Sequence, residues 1–296
     1  MMKPYSEQNE AELRAAYAAH LETYRKYQAK QLNLDMSRGK PCAEQLDLSM
    51  PMLDTVRSDC DMLTEDGSDV RSYGQLSGIP EVRSLFAGLL GVRPENILVG
   101  GNSSLNMMFD CICLSMSMGV NGEKPWAMQK EVKFLCPVPG YDRHFAICEL
   151  FGIQMVNIPM GPQGPDMDLV EQYVQQDPAV KGIWCVPKYS NPTGVTYSDE
   201  TVRRFAALKP AAKDFRIYWD NAYCVHDLTE TPDHLLNLVD ECRKLGSEEM
   251  VLEFASTSKI SFSGAGIAVM AAFGNTMKEL TAQRSIQTIG PNKVNQ

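Results

Sequence analysis

One lysine, Lys259, lies in the string STSKISFSGAG among small and hydroxyl-bearing residues. Its amine is a nucleophile only when neutral, although a free lysine has a pKa of about 10.4. A partly buried site that joins the amine to an aldehyde as a Schiff base would remove this difficulty. Gly264 and Gly266 permit close backbone approach, and five hydroxyl residues surround the lysine: Ser256, Thr257, Ser258, Ser261 and Ser263. We predict a covalent attachment point, with a solvated surface lysine as the competing interpretation.

A carboxylate, Asp220, follows the apolar run FRIYW directly. At such a position the carboxylate needs a partner, because an unpaired buried charge is costly. One interpretation is a helix cap or a pair with a buried basic group. The other is that Asp220 accepts a hydrogen bond from a protonated ring nitrogen, which contributes roughly 1.5–3 kcal/mol. A ring protonated in this way withdraws electrons more strongly.

Polar and aromatic residues also follow two earlier apolar runs. After ILVGG come Asn102, Ser103 and Ser104, at a turn that opens a predicted helix whose free N–H groups suit a phosphate. An ordinary N-cap is the alternative. After KFLCPV comes Tyr141, which either stacks on a ring or packs in the core. This pattern favours a phosphorylated aromatic ligand without excluding plain structural roles.

Two further side chains could donate hydrogen bonds to a phenolate oxygen on such a ring. Asn191 lies in the string SNPTG, which predicts a tight turn. Tyr223 lies three residues after Asp220 in DNAY. Each signal alone is weak, but all follow successive apolar runs in chain order.

The elements that must position these residues are short apolar runs that alternate with helical patterns. Seven runs occur from residue 95 onward: ILVGG, KFLCPVP, QMVNIPM, GIWCVP, FRIYWD, MVLEFAS and IAVMAAF. Continuous apolar runs between helices predict a mostly parallel seven-stranded sheet in a three-layer α/β/α sandwich. Ligands of such sheets bind at the carboxyl ends of the strands, where the residues above lie. Residues 6–30 predict an amphipathic N-terminal helix.

Composition excludes several classes of function. The 296 residues carry a formal charge of −9 with a pI near 5.1, so a nucleic-acid surface is not expected. The nine cysteines include no C-x-x-C pair and the four histidines no H-x-x-x-H spacing, so we predict no metal site. The sequence contains no apolar segment of about 18 residues and no signal-peptide pattern. We therefore expect a cytoplasmic protein without a membrane partner.

The combined strings resemble the fold type I pyridoxal 5′-phosphate (PLP) enzymes, specifically the class I aspartate aminotransferase superfamily and its divergent type Ic subgroup. The resemblance covers residue 30 to the last residue and rests on SRGKP, RSYG, GGNSSLN, PVPGYDRH, CVPKYSNPTG, WDNAY and STSKI. It implies a PLP-dependent homodimer that transfers an amino group between an amino acid and a 2-oxo acid, with aspartate and 2-oxoglutarate favoured. It also implies that residues 1–45 form an N-terminal helix and partial small domain, and that residues 46–296 form the PLP-binding large domain.

The resemblance assigns roles residue by residue. Lys259, Asp220 and Tyr223 would be catalytic: the lysine holds PLP, the aspartate pairs with the pyridine nitrogen and the tyrosine contacts the ring hydroxyl oxygen. Asn191 would be the second donor to that oxygen, and Tyr141 would stack on the ring. The implied phosphate ligands are Asn102, Ser103, Ser104 and Ser256, with Tyr73 reaching the cofactor of the neighbouring subunit. Gly39 would contact the substrate carboxylate.

Two departures from the family pattern affect these roles. Many relatives carry a phosphate-binding arginine eight residues after the lysine, where this chain has Ile267. The family also continues into a C-terminal segment that carries the arginine for the substrate α-carboxylate, so a truncated chain is expected. Three alternatives remain open: a PLP-dependent β-lyase or decarboxylase, a non-catalytic PLP-binding regulatory module, and an α/β protein in which Lys259 and Asp220 are structural.

Overall fold

The computed structural model describes residues 3–33 and 39–296, which fall into two units, Met1–Gly39 and Lys40–Gln296. The first unit contains helix α1 (Glu10–Ala29), which confirms the helix predicted over 6–30. Its N-terminus is closed by a capping box: Asn9 Oδ1 accepts from Glu12 N at 2.9 Å and Glu12 Oε2 accepts from Asn9 N at 2.7 Å. No residue of α1 is buried, so its apolar face is exposed.

The second unit is built on an eight-stranded sheet. The strands are β1 (Ile97–Val99), β2 (Lys133–Val138), β3 (Gln154–Gly161), β4 (Gly164–Pro165), β5 (Val180–Cys185), β6 (Arg216–Asp220), β7 (Val251–Ser256) and β8 (Ala268–Ala271). Their order is β1-β8-β7-β6-β5-β2-β3-β4, and β3-β2-β5-β6-β7 are mutually parallel. Strand β8 runs antiparallel between β1 and β7, and β4 antiparallel to β3. The predicted mostly parallel sheet is confirmed.

Helices cover both faces of this sheet. The short helix α2 (Ala43–Asp47) buries no residue, and the covering helices are α3 (Pro80–Leu90), α4 (Ser104–Met118), α5 (Asp142–Phe151), α6 (Met167–Gln176), α7 (Asp199–Ala206), α8 (Leu238–Leu245) and α9 (Gly274–Gln287). One core lies between the sheet and α3, α6, α7 and α8. A second core lies between the opposite face and α4, α5 and α9. This is the predicted three-layer α/β/α arrangement.

The structure differs from the sequence prediction in two details. All seven apolar runs form strands, and β4 is an additional strand of only two residues, too short to show a pattern. The spacing of apolar residues predicts a helix over His234–Leu245, but α8 begins only at Leu238, because Asn237 adopts an extended conformation and caps the helix by accepting from Asp240 N. The domain boundary expected near residue 45 stays a prediction.

Within the two described ranges, no helix combines the length and apolar character that crossing a membrane requires. Across the same residues, no group of three or more His, Cys, Asp or Glu side chains is arranged to hold a metal ion.

Candidate active site

A cavity of about 330 Å³ opens where β5, β6 and β7 end and α4 begins. We call it the strand-end cavity. Nine of the eleven predicted site residues line it: Asn102, Ser103, Ser104, Tyr141, Asn191, Asp220, Tyr223, Ser256 and Lys259. They meet because β1, β2, β5, β6 and β7 all point their carboxyl ends to this edge of the sheet.

One end of the strand-end cavity is rich in hydrogen-bond donors. Ser103 is the N-cap of α4 and accepts from Asn106 N at 3.4 Å, which confirms the N-cap alternative for this residue. The amide groups of the first turn of α4 remain suited to an anion. Ser256 Oγ, at the end of β7, lies 2.8 Å from Ser258 Oγ, in the loop that follows. This arrangement can hold a phosphate.

Asn102 connects the turn before α4 to the loop after Lys259, at the donor-rich end of the strand-end cavity. Its Nδ2 donates to the carbonyl oxygens of Ser263 and Gly264, both at 3.2 Å. The turn before α4 is thereby tied to the loop that follows Lys259. Asn102 therefore shapes the donor-rich end as well as lining it.

Lys259 lies half-buried in the strand-end cavity, unlike a solvated surface lysine. Only some of the neighbouring hydroxyls face the cavity, because Thr257 Oγ1 accepts from Ile267 N at 3.0 Å and Ser261 Oγ donates to Thr257 O at 3.2 Å. Gly266 is required here, since a Cβ atom would lie 2.4 Å from Thr257 Oγ1. Gly264, by contrast, has open space around it. The loop is thus a fixed support for the lysine.

Asp220 ends strand β6 and is 5% exposed. His144 Nε2 lies 3.1 Å from Asp220 Oδ2, so the ring N–H donates to the carboxylate. The His144 ring stacks on Trp184, with ring centroids 4.7 Å apart and an interplanar angle of 15°. Trp184 Nε1 in turn donates to Cys148 Sγ at 3.3 Å. Packing therefore fixes His144, and His144 fixes the carboxylate.

The second carboxylate oxygen of Asp220 is available to a ligand. Asp220 Oδ1 is buried and has no hydrogen-bond partner among the residues that the structure describes. A buried acceptor without a donor is costly, and a protonated ring nitrogen in the cavity would supply the donor. The residues present therefore fit a pyridinium ring at this end of the strand-end cavity.

Tyr223 and Asn191 lie close to Asp220 on the cavity wall. Burial raises the pKa of the Tyr223 hydroxyl, and the nearby Asp220 and Tyr141 raise it further, while a hydrogen bond with Asn191 lowers it. The hydroxyl consequently stays protonated and can donate. Asn191 is held by a turn in which Gly194 N donates to Ser190 O at 2.6 Å, with a φ of 72° at Gly194 that favours glycine.

Tyr141 is an aromatic residue in the lining of the strand-end cavity. Its ring meets His144 edge-to-face, with centroids 5.1 Å apart and an interplanar angle of 87°. Because it lines the strand-end cavity, it can also contact a planar ligand. Stacking on a cofactor ring stays a prediction.

Two predicted residues do not line the strand-end cavity. Tyr73 is 85% exposed, and its carbonyl oxygen accepts from Lys293 Nζ at 3.1 Å. Gly39 belongs to the first unit. Part of the SRGKP string, residues 37 and 38, lies outside the described residues. The roles predicted for Tyr73 and Gly39 therefore stay predictions.

Sequence reasoning missed His144, Trp184 and the cavity-lining position of Ser258. A signal for His144 existed: it follows Tyr141, the N-cap residue of α5, by three residues, and the two rings are in contact. Trp184 gave no such signal, because it reads as an ordinary apolar residue of strand β5.

Comparison with known proteins identifies the family. The sequence model of the family described as aspartate amino-transferase matches residues 6–296. A Mycolicibacterium smegmatis protein named as an aminotransferase is 46% identical over 96% of this chain and 67% of its own length. An aspartate aminotransferase of Corynebacterium glutamicum is 46% identical over 90% of this chain and 62% of its own length. The chain thus spans about two thirds of the length of these relatives.

Solved structures agree with this result. A crystal structure of an aspartate transaminase from Corynebacterium glutamicum matches 97% of this chain and 68% of that one, with a TM-score of 0.89 and 42% identity. The alpha-aminoadipate aminotransferase of Thermus thermophilus, solved in complex with N-(5′-phosphopyridoxyl)-L-leucine, shares the fold at a TM-score of 0.64 and 19% identity over 87% of this chain and 61% of that one. The chain therefore belongs to the aspartate aminotransferase family, whose members are PLP-dependent aminotransferases of fold type I.

Proposed function

We propose that this chain binds PLP and transfers an amino group between an amino acid, aspartate, and a 2-oxo acid, 2-oxoglutarate. The observation that carries the proposal is the strand-end cavity itself. It places the Lys259 amine, the unpartnered Asp220 Oδ1 and the serines at the start of α4 around one space of about 330 Å³. The relative from Corynebacterium glutamicum named as an aspartate aminotransferase supports the choice of substrates.

The residues present would hold each part of the cofactor. The first turn of α4, together with Asn102, Ser103, Ser104 and Ser256, would bind the phosphate. Asp220 would pair with the pyridine nitrogen, and Asn191 and Tyr223 would donate to the ring oxygen. Tyr141 would contact the ring face. When bound, PLP withdraws electrons from the substrate Cα and so makes its proton acidic.

The chain's own groups then control that proton. Asp220, held by His144, would accept a charge-assisted hydrogen bond from the protonated ring nitrogen. The Lys259 amine would take up the proton that leaves the substrate Cα, and so would act as general base and acid at that atom. Tyr223 keeps its proton because burial raises its pKa, so its hydroxyl donates throughout. Ile267 carries no charge, so the donors at the α4 end would replace the arginine of other relatives.

We also propose a homodimer, in which Tyr73 contacts the phosphate bound to the second subunit and Gly39 contacts the substrate carboxylate. Several apolar side chains support a protein interface on the second unit because they are exposed: Leu48, Met50, Met52, Leu53, Val56 and Leu63. Sedimentation equilibrium would test the dimer. A cytoplasmic location is part of the proposal and is supported by nine free thiols.

The function is tested with ¹⁵N-aspartate, 2-oxoglutarate and PLP, by mass spectrometry of the products. We expect ¹⁵N-glutamate and oxaloacetate in equal amounts, and neither product with Lys259→Ala. Release of labelled ammonia or of carbon dioxide would instead indicate a lyase or a decarboxylase. PLP binding without any product would indicate a non-catalytic module.

A further inference from the structure

We infer that Asn221 and Glu253 form a positioning pair that holds Asp220 in place from the sheet face opposite the strand-end cavity. The inference rests on the proposed function, because Asp220 is the residue that would pair with the cofactor ring. Neither Asn221 nor Glu253 lines the strand-end cavity. Both act on it only through Asp220.

Asp220 is the last residue of β6 and Asn221 follows it directly, and the two side chains line different cavities. Asp220 lines the strand-end cavity, whereas Asn221 lines a second cavity of about 350 Å³ together with Glu253, Trp219 and Lys188. We call the second one the opposite-face cavity. The same stretch of backbone therefore borders both cavities.

Asn221 is tied to strand β7 by its backbone and by its side chain. Its N–H donates to Phe254 O at 2.8 Å, and its Nδ2 donates to Glu253 Oε1 at 3.0 Å. In the sheet register Asp220 pairs with Phe254. The backbone directly after Asp220 is thus fixed to two consecutive residues of the neighbouring strand.

Burying the carboxyl group of Glu253 costs folding free energy. It is 4% exposed in the middle of β7, and burial raises the pKa of its carboxyl to about 7. An apolar side chain would suit a buried strand better, because a buried carboxyl must be hydrogen-bonded or neutral. Its carboxyl accepts a hydrogen bond from Asn221, the residue next to Asp220. A positioning role explains why a carboxyl stands there.

The need for such a pair follows from the geometry of the Asp220 bond. A charge-assisted hydrogen bond is strong only over a narrow range of distance and angle, and site residues must be held to about 0.5 Å. His144, on helix α5, fixes the Asp220 carboxylate. It does not fix the backbone from which the carboxylate projects. The Asn221–Glu253 hydrogen bond supplies that second constraint.

The test compares full-length versions of this chain that differ at Glu253. Glu253→Gln keeps an oxygen that can accept from Asn221 Nδ2, whereas Glu253→Leu removes the acceptor at similar volume. Asn221→Ala breaks the same hydrogen bond by removing the donor instead of the acceptor. Val239→Ala is the matched control, because it removes buried volume from α8 in the same core without touching the pair. Urea unfolding confirms that each variant is folded.

Two quantities are measured: the Kd for PLP, by fluorescence titration, and amide hydrogen exchange over residues 219–224 without PLP. We expect Glu253→Leu and Asn221→Ala to raise both the Kd and the exchange rate at least tenfold. Glu253→Gln and Val239→Ala should change neither by more than twofold.

Exchange rates and Kd values that stay within twofold in Glu253→Leu and Asn221→Ala would overturn the inference. An equally large rise in the Kd and the exchange rate in Val239→Ala would also overturn the inference, because it would show only a general loss of stability. The exchange measurement needs no cofactor, so it tests the positioning pair independently of the proposed function. An unmodified chain that binds no PLP would contradict the proposed function, whereas unchanged exchange would contradict the positioning pair.

Discussion

Asp220 has a hydrogen bond from His144 on one carboxylate oxygen and a buried, unpartnered second oxygen, as far as the described residues show. These two facts make it an acceptor for a ligand rather than a helix cap. His144 cannot turn away easily, because its ring stacks on Trp184. At the scale of single residues, the site therefore contains a carboxylate with one oxygen held in place and the other without a donor, which is what the proposed pairing with a cationic ring nitrogen requires.

Asp220→Asn should weaken PLP binding because the amide removes the negative charge and keeps the shape. Loss of a charge-assisted bond of roughly 1.5–3 kcal/mol corresponds to a Kd for PLP about tenfold to a hundredfold higher. Fluorescence titration measures this. Asp227→Asn is the control, because Asp227 pairs with Lys188 at the opposite-face cavity. A Kd unchanged in Asp220→Asn would show that the carboxylate does not meet the ring.

Glu253 predicts a pH dependence of stability. Its folded-state pKa of about 7 lies above its ordinary value of 4.5, because burial disfavours the charge. Its contribution is therefore fully present below pH 4.5 and is lost as the pH rises through about 7. The loss should approach about 3 kcal/mol.

Urea unfolding at pH 5 and pH 8 measures this loss. The free energy of unfolding should fall more steeply in the unmodified chain than in Glu253→Gln, which has no carboxyl to ionise. Parallel curves for the two proteins would contradict a perturbed Glu253.

At the scale of elements, the two ends of the sheet have different roles. The carboxyl ends of β5, β6 and β7 carry the strand-end cavity. Near the amino ends of β5 and β6, Lys181 Nζ and Asp214 Oδ1 form a buried ion pair at 2.7 Å. Trp126 Nε1 and Gln129 Nε2 each donate to Asp214 Oδ2 at 3.0 Å. This network stabilises the base of the sheet away from the cavity.

Asp214→Ala should therefore destabilise the fold by about 3–5 kcal/mol, because it leaves the Lys181 charge buried and unpaired. The double variant Lys181→Met with Asp214→Leu should recover part of this loss, since it removes both charges. Urea unfolding measures both. A double variant as unstable as Asp214→Ala would show that the loss comes from packing or from the Trp126 bond.

The helices and strands show what a sequence pattern can and cannot predict. Seven strands were predictable because each coincides with a short apolar run in the sequence. Strand β4 was not, because two residues carry no pattern. The start of α8 was placed too early because the polar Asn237, which caps it, was not recognised as the boundary.

At the scale of the whole molecule, the sequence predicted most of the strand-end cavity because strand ends of a parallel sheet converge. Residues that act through others were harder to predict. His144, Asn221 and Glu253 show their roles only through tertiary contacts. Tyr73 and Gly39 do not line the strand-end cavity, and the roles predicted for them rest on the family resemblance and stay predictions.

The central claim is that Lys259 holds PLP in the strand-end cavity. The most direct test incubates the chain with PLP, reduces it with borohydride and maps the modified peptide by mass spectrometry. The account predicts a pyridoxyl group on Lys259, and no adduct in a Lys259→Ala variant that urea unfolding shows to be folded. A reduced adduct on another lysine, or one that persists in Lys259→Ala, would contradict it.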